Sequence, residues 1–233
     1  MASSPTSETR HRDWLVLIVF VLVILLITGI PYFYAQRIAQ PNNQFMGVVE
    51  NIPDHFQYFS WMRESRDKLL VSNQLTPETS TALLFNLLWW VLGRVESLTG
   101  LGYMTLYQMT RLLAGAFAML VIFWFCGLIF SNRAKRWTAF LVAVLGSGLG
   151  WVMIVIKYLT RVADAPNPFT IYTSEPNSFY TIMAFPHFTI ATGLITLVLG
   201  MVLLAQRTQQ LRYAGLGAVI CLVLTLQHSY DFF

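Results

Sequence analysis

Long apolar runs separated by short polar segments dominate the sequence. Most of these runs reach the length of about 18 nearly uncharged residues that is typical of a membrane-spanning helix. The pattern predicts an all-α membrane protein with about five transmembrane helices in a single domain. The predicted spans cover residues 14–34, 106–130, 137–156, 182–205 and 213–227. The composition agrees, because the chain is 56% hydrophobic and only 11% charged, whereas a soluble domain usually has about 25% charged residues.

The polar segments predict the orientation of these spans. Residues 1–13 are rich in Ser and Thr, and we expect them to form a disordered cytoplasmic tail. The first run is longer than the apolar part of a cleaved signal peptide, about 7–15 residues, so we expect it to remain as a signal anchor. Positive charge in short loops favours the cytoplasmic side, and it occurs here at Arg10, Arg12, Arg133, Lys135, Arg136, Arg207 and Arg212. We therefore predict a multi-pass protein of the inner (plasma) membrane with a cytoplasmic N-terminus.

Residues 35–105 are predicted to form an extracytoplasmic loop with two interfacial helices. In the first, Asp54 follows Pro53 and precedes Gln57 in a pattern that resembles a capping box. This pattern predicts that Asp54 caps a helix that runs to about Leu70, with its aromatic residues at the interface.

A second helix start is predicted at Thr76-Pro77-Glu78, where a capping residue, a proline and an acid follow one another. The helix would run from Thr79 to about Leu98. If it crossed the membrane, the later basic loops would face outward, against the preference of positive charge for the cytoplasmic side. We therefore predict that it lies at the interface.

Two charged residues are candidates for chemistry. Asp54 is either a helix cap or a general base that takes a proton from an acceptor hydroxyl; from the residues alone, the cap is the better interpretation. Arg111 lies within the second predicted span, where an ionised side chain is costly and by default indicates function. It is either a phosphate-binding residue or an arginine that reaches the interface or a loop acid.

Four further polar residues are predicted on the same side of the membrane as Asp54 and Arg111. They are Glu175, His187, His228 and Asp231. Each has an ordinary interpretation, as a solvated loop acid or an interfacial histidine. Their shared side predicts a common polar cavity, in which they would contact the substrate.

Other motifs add little. Carboxylate and imidazole ligands suit a divalent metal, but no spacing typical of a metal site is present, so a metal remains only an option. The net charge of +4 reflects the basic loops and does not indicate a nucleic-acid partner. Cys126 and Cys221 lie in apolar runs and are interpreted as small apolar residues. The glycines of residues 146–150 are interpreted as sites of close helix packing rather than a nucleotide loop.

The order of these features resembles the GT-C superfamily, which comprises integral-membrane glycosyltransferases related to protein mannosyltransferases and aminoarabinose transferases. The shared features are a first span, an outer loop that begins with an Asp, an interfacial helix, and a span that opens with Tyr-x-x-x-Arg, here Tyr107 to Arg111. Three later segments look like a bacterial branch of that group: Gly146-Ser-Gly-Leu-Gly-Trp151, Phe185-Pro-His-Phe188 and His228-Ser-Tyr-Asp231.

The resemblance implies transfer of a sugar from a polyprenyl-phosphate donor to an acceptor on the extracytoplasmic face. Asp54 would be the base and Arg111 would hold the lipid phosphate. The neighbours Pro53 and His55 depart from the acidic pair that many relatives have, and relatives have more spans. Because the chain ends directly after a span, we expect it to be the N-terminal part of a longer protein. The alternative is a non-catalytic membrane subunit that packs against a membrane-protein partner through its aromatic-rich helices.

Overall fold

A computed structural model describes residues 7–40, 42–75, 77–78, 80–146, 150–160, 173–174 and 177–228. These residues form the helices α1 (Ser7–Ile38), α2 (Ile52–Glu64), α3 (Leu87–Thr99), α4 (Tyr103–Ile129), α5 (Arg133–Leu145), α6 (Gly150–Thr160), α7 (Ser178–Ala184), α8 (Pro186–Thr208) and α9 (Leu211–Gln227). Within the described ranges, β pairing is limited to one bridge between Val71 and Leu84. The prediction of an all-α chain is therefore confirmed for this part of the protein.

Three helices are long and apolar enough to cross a membrane, which is consistent with a membrane protein. They are α1 from Arg12 onward, α4 and α8, and they correspond to three of the five predicted spans. The fifth predicted span corresponds to α9, an apolar helix of only 17 residues. The third, residues 137–156, is not one helix, because α5 ends at Leu145 and the backbone of Gly146 is extended.

The fourth predicted span begins later than expected. Pro186 has no amide hydrogen to donate and disfavours a helical conformation in the residue before it. Phe185 is accordingly extended, with φ −128° and ψ 90°. It separates the short helix α7 from α8, so the two helices meet at a corner instead of continuing as one span.

The core of the bundle lies where α1, α4, α5 and α7 meet. Its buried residues are Leu17, Val21, Ile24, Met119, Ile122, Phe123, Cys126, Phe140, Val144 and Ile182. Cys126 thus packs as a small apolar residue, as predicted. Close contact between side chains, aided by small residues, is the main force that joins helices in a membrane.

Glycines allow α4 to approach its neighbours closely. A Cβ atom at Gly115 would lie 2.8 Å from Leu25 of α1 and 2.9 Å from Ile182 of α7. A Cβ atom at Gly193 of α8 would collide with the ring of Phe117. These contacts fix α4 in the centre of the bundle and therefore fix the position of the residues near its start.

The bundle has two distinct ends because α1 and α4 run antiparallel. At one end, Arg133 donates a hydrogen bond of 2.6 Å to Asp13 near the start of α1. Toward the other end, Arg111 of α4 donates to the Thr28 hydroxyl at 3.0 Å. We call the latter the site end. The starts of α4 and α8 and the ends of α1 and α9 meet there, with α2 and α3 packed against them.

The start of α2 differs from the prediction. Asn51 is the N-cap residue, in the left-handed conformation with φ 44°, and no side chain caps the helix. The predicted cap at Asp54 is wrong, since Asp54 already lies in the first turn. Gln57 does not close a capping box; its buried side chain bonds to the backbone of Ser72 and Gln74 instead. The helix ends at Glu64 rather than near Leu70.

The second helix of this segment also begins later than predicted. Residues 77–78 and 80–86 are not helical, and Thr76 and Thr79 lie outside the described residues. Asn86 is the N-cap of α3, and its side chain accepts a hydrogen bond from the Trp89 amide at 3.2 Å. Before Asn86, Leu84 exchanges two backbone hydrogen bonds with Val71.

Candidate functional site: a cavity at the site end

A cavity of about 170 Å³ lies at the site end, between α2, α3, the start of α8 and the end of α9. Val71, Leu84, Phe85 and Asn86 form its remaining wall. The lining residues are Tyr58, Trp61, Val71, Leu84, Phe85, Asn86, Trp89, His187, Phe188, Gln227 and His228. None of them is an Asp, Glu, Lys or Arg, so the described lining is neutral apart from the two histidines. Aromatic walls with a few polar groups are the usual composition of a small-molecule site.

The loop of residues 71–86 is held in place by side chains of α2. The carbonyl oxygen of Ser72 accepts hydrogen bonds from Trp61 at 2.8 Å and from Gln57 at 3.3 Å. Glu64 accepts bonds from both the amide and the hydroxyl of Ser72, at 3.1 and 3.0 Å. Val71 and Leu84 exchange two backbone bonds across the loop. Gln57, Trp61 and Glu64 of α2 therefore hold the residues next to the cavity wall.

Stacked aromatic rings form the floor of the cavity. The Tyr58 and Trp89 rings are parallel to within 11°, with centroids 4.7 Å apart. The Trp89 ring is in turn parallel to that of Tyr107, at 6.3 Å. Such offset stacks add about 0.5–1.5 kcal/mol to the packing of each pair. They join α2, α3 and α4 into one rigid platform.

His187 is a buried polar residue whose side chain has no hydrogen-bond partner among the described residues. It is 4% exposed, and both of its ring nitrogens are buried. The side-chain oxygen of Gln227 is likewise buried and unpartnered, although its nitrogen donates to the His187 carbonyl at 2.9 Å. A buried polar atom without a partner costs free energy. These three atoms are therefore the least satisfied polar atoms beside the cavity.

His55 lies a short distance away, and each of its ring nitrogens lies close to a polar atom of the chain. Its Nδ1 lies 2.9 Å from the Asn51 carbonyl oxygen, and its Nε2 lies 2.6 Å from the Tyr107 hydroxyl. That hydroxyl also donates to the Ala184 carbonyl at 2.8 Å. Three links need three hydrogens, whereas a neutral imidazole and one hydroxyl supply two. The chain of bonds is complete only when His55 is an imidazolium.

Burial acts against that protonation. The loss of solvation lowers the pKa of His55 below its ordinary value of 6.5, while the Asn51 and Ala184 carbonyls and the carboxylates of Asp54 and Glu50 act in the opposite direction. Desolvation is the larger effect. His55 is therefore neutral at pH 7, and one of its three links lacks a hydrogen.

Asp54 is not among the residues that line the cavity, but it lies on the same stripe of α2. Asp54, Tyr58 and Trp61 are spaced four and three residues apart, so they share one helix face. The Asp54 carboxylate is half-buried and accepts a hydrogen bond of 2.5 Å from the Asn51 side chain. It therefore stands one helical turn beyond the aromatic floor.

Arg111 is buried between α1 and α4, with 3% of its surface exposed. It donates to Gln108 at 2.8 Å and to Thr28 at 3.0 Å, and its guanidinium carbon lies 4.5 Å from the centre of the Tyr32 ring. No carboxylate pairs with it among the described residues. The predicted pairing with a loop acid is not seen there, and the positive charge is held by neutral groups alone.

The structure brings some of the predicted residues together. His187 and His228 both line the cavity, with ring centroids 5.9 Å apart. Asp54 and Arg111 flank the His55–Tyr107 link from α2 and α4. Glu175 and Asp231 lie outside the described residues. Sequence reasoning missed the cavity residues Gln227, Asn86, Trp89 and Tyr58.

A signal for some of the missed residues was present. Tyr58 and Trp61 are three residues apart on one helix, so they lie on the same face and form an aromatic stripe. Gln227 at the end of an apolar helix gave no comparable signal. The described residues contain no group of three or more His, Cys, Asp and Glu side chains placed to hold a metal ion.

Comparisons with protein-family models, with curated proteins and with solved structures found no match. The class of the protein therefore follows from its own fold. In its described part it is an α-helical chain, with three helices long and apolar enough to span a membrane. The resemblance to the GT-C superfamily stays a prediction.

Proposed function

We propose that the chain is a membrane glycosyltransferase of the GT-C kind, or the N-terminal part of one. It transfers a sugar from a polyprenyl-phosphate donor to an acceptor hydroxyl. The observation that carries the proposal is the stripe of α2 on which Asp54 follows the aromatic residues of the cavity floor. This stripe puts a carboxylate one turn from a ring-sized neutral pocket at the end of a bundle of apolar helices.

Asp54 is the base in this proposal. As the bond between the sugar C1 and the phosphate oxygen breaks, the acceptor oxygen forms a new bond to C1 and its proton passes to Asp54. The polyprenyl phosphate leaves with the electron pair of the broken bond. The hydrogen bond from Asn51 orients the carboxylate, and proton transfer to a positioned base typically contributes about 10²–10⁴-fold to a rate.

Arg111 supplies positive charge for the phosphate. Because its partners in the described residues are neutral, its charge is not cancelled locally and raises the electrostatic potential near the start of α4. A leaving phosphate is stabilised by such a fixed charge. The guanidinium acts here through its field, because only 3% of Arg111 is exposed.

The proposal includes a topology. The site end faces the extracytoplasmic side, the N-terminus is cytoplasmic, and α9 together with the α5–α6 segment completes five crossings. Single cysteines placed at Asp67 and at Lys135 test this arrangement in membrane vesicles lacking Cys126 and Cys221. A membrane-impermeant thiol reagent should label only position 67 from the outside, and labelling of position 135 from that side would contradict the topology.

Asp54→Asn tests the chemistry. We expect transfer from polyprenyl-phosphate mannose, glucose or aminoarabinose to fall by about 10²-fold or more, while the amount of protein in the membrane stays unchanged. Asp67→Asn is the matched control, because Asp67 is exposed and lies in the turn after α2. Radiolabelled sugar in the acceptor fraction is the readout. Equal transfer by wild type and Asp54→Asn would refute the role of Asp54.

A second function is favoured by one observation: no carboxylate lines the described cavity. The chain would then bind a lipid-linked sugar and present it to a catalytic membrane-protein partner. In this case the purified chain binds the donor and Asp54→Asn has no effect. Transfer appears only when the partner is added.

A further inference from the structure

We infer that the end of the bundle opposite the site end binds the headgroup of an anionic phospholipid. The binding surface is a set of basic side chains, which we call the basic patch. It consists of Arg12, Arg133, Lys135, Arg136, Arg207 and Arg212. The inference goes beyond the proposed function and does not depend on it, because no residue of the basic patch lines the cavity at the site end.

The basic patch surrounds the last turn of α4. From α5, the Nε atom of Arg136 lies 3.6 Å from the position that a Cβ atom at Gly127 would occupy. From α8, Arg207 donates a hydrogen bond of 2.5 Å to the Leu128 carbonyl. Because α9 begins three residues after α8 ends, Arg212 lies at the same end of the bundle. The fold therefore gathers cations from several helices at one place.

The charge of the basic patch is largely uncompensated. Among residues 12–14, 127–137 and 205–213, Asp13 is the one acid beside six basic residues, which leaves a net charge of +5. Asp13 accepts a hydrogen bond of 2.6 Å from Arg133 and lies 4.0 Å from Arg136, so its single charge is used within the chain. Like charges that are held together repel one another, and they raise the local concentration of anions.

The position of the cations on α5 is unfavourable for the helix itself. Arg133, Lys135 and Arg136 lie within its first four residues, and no acid lies in its first turn. The first turn of a helix carries positive partial charge, so cations are disfavoured there. Helix stability therefore does not account for these side chains, whereas an anion bound beside them would offset the repulsion.

An open hollow beside the start of α5 provides space for a headgroup. It has a volume of about 420 Å³ and is lined by Asn132, Arg133, Ala134 and Trp137. Small-molecule sites have volumes of about 300–1,000 Å³. The side chain of Arg133 is 58% exposed in spite of its bond to Asp13. A guanidinium binds phosphate oxygens through two parallel hydrogen bonds, so Arg133 is suited to hold a phosphate in the hollow.

The apolar surroundings favour a lipid over a soluble anion. Trp14 and Trp137 pack on the ring of Phe123, with centroids 5.8 and 4.8 Å away, and tryptophan is enriched at the headgroup level of a membrane. Further along the helices that carry the basic patch, apolar side chains are exposed: Val142 of α5 by 66% and Val202 of α8 by 47%. These surfaces suit acyl chains, and basic pockets between membrane helices bind the headgroups of anionic lipids.

Native mass spectrometry of the full chain in detergent tests the inference, because it counts bound lipid molecules. The probes are dioleoyl phosphatidylglycerol, dioleoyl phosphatidylcholine and inorganic phosphate. We expect saturable binding of one phosphatidylglycerol molecule, tighter than that of phosphatidylcholine by about tenfold or more. Equal affinity for the two lipids would overturn the inference. Inorganic phosphate that binds as tightly as phosphatidylglycerol would overturn the assignment to a lipid.

A pair of double variants separates the basic patch from the overall charge of the protein. Arg133→Gln combined with Lys135→Gln removes two charges beside the hollow. Arg63→Gln combined with Lys68→Gln removes two charges from exposed residues in and after α2. We expect phosphatidylglycerol to bind about tenfold more weakly to the first variant and with unchanged affinity to the second. An equal loss in both variants would mean that net charge alone attracts the lipid, and it would refute the site.

Substitutions of Ala134 test whether the headgroup occupies the hollow. Ala134→Glu places a negative charge there, and an acid in the first turn of a helix is favourable for stability, so the Tm should not fall. Ala134→Gln is the control, since it adds a side chain of the same size without the charge. We expect phosphatidylglycerol binding to fall by about tenfold or more in Ala134→Glu and by much less in Ala134→Gln. Wild-type affinity in Ala134→Glu would show that the lipid does not bind in the hollow.

Discussion

Two histidines at the site end are buried to nearly the same degree, yet their surroundings differ. His55 is 2% exposed and His187 is 4% exposed, and the ring of Phe185 lies between them, with centroids 5.5 and 5.9 Å away. Each nitrogen of His55 has a polar partner in the chain. Neither nitrogen of His187 has one among the described residues.

This difference separates a polar group that is bonded within the chain from one that is not. At the junction of α2, α4 and α7, a histidine, a tyrosine and two carbonyl groups lie within hydrogen-bond distance of one another and connect the helices. Beside the cavity, the nitrogens of His187 are buried among aromatic rings without a hydrogen-bond partner in the described residues. Burial alone does not distinguish the two cases, whereas the count of partners does.

Tyr107→Phe should have the largest effect on stability and tests the structural half of this comparison. The change leaves His55 Nε2 and the Ala184 carbonyl without their partner, which costs about 1–3 kcal/mol for a buried group. We expect the Tm of the purified protein to fall by several degrees. The measurement is thermal unfolding followed by tryptophan fluorescence in lipid nanodiscs.

His187→Phe is the matched control for that experiment. It replaces an unpartnered polar ring by an apolar ring of similar size, so no hydrogen bond is lost and the Tm should stay the same or rise slightly. If His187→Phe destabilised the protein as much as Tyr107→Phe, His187 would be a structural residue, and the proposed difference between His55 and His187 would be wrong.

Lowering the pH should have the next largest effect on the stability of the protein. Burial lowers the pKa of His55 below 6.5, so below that pH the unfolded chain binds a proton that the folded chain does not. The free energy of unfolding therefore falls as the pH falls below about 6.5, by up to about 1.4 kcal/mol for each pH unit by which the pKa is lowered. The fall ends once the pH is below the folded-state pKa.

His55→Gln should reduce this slope. Glutamine does not titrate, and it keeps a donor and an acceptor at the position of the imidazole. The measurement is the Tm between pH 5 and pH 8 for wild type and variant. An identical slope in the two proteins would mean that other groups cause the pH dependence.

Much of the fold could be predicted from the sequence because the apolar runs are long. α1, α4 and α8 each follow from a run with few charged residues, and tertiary contacts do not change that outcome. The corner at Phe185 and Pro186 has a local cause in the proline ring. A stricter use of that cause would have predicted the start of α8 at Pro186.

The segment that forms the site was predicted less well because distant contacts decide it. Gln57 has the spacing of a capping residue, but its partners are Ser72 and Gln74, fifteen and seventeen residues later. No local pattern reports such a pairing. Asn86 likewise is both the cap of α3 and a partner of Gln227 in α9, a role that depends on the packed structure.

The candidate site stays a prediction. His187 and His228 line one cavity, whereas Asp54 and Arg111, which were predicted to share it, are not among its lining residues. The sequence analysis considered His55 only as a neighbour of Asp54, although His55 is buried as deeply as His187. Whether a histidine is bonded or open depends on which hydroxyl or carbonyl a distant helix brings to it, and the sequence does not contain that information in a local form.

Removing the charge of Asp13, at the opposite end of the bundle, should have the smallest effect on the Tm. It serves as a reference for the changes at the site end. The Asp13 carboxylate accepts a bond of 2.6 Å from Arg133 and lies 4.0 Å from Arg136. The side chain of Arg133 is 58% exposed, so solvent screens the pair and its contribution is at most about 1 kcal/mol. We expect Asp13→Asn to lower the Tm by less than Tyr107→Phe does, and the difference from wild type to shrink further at high salt. A larger loss for Asp13→Asn than for Tyr107→Phe would mean that ionic contacts at that end, rather than the neutral bonds around His55, hold the bundle together.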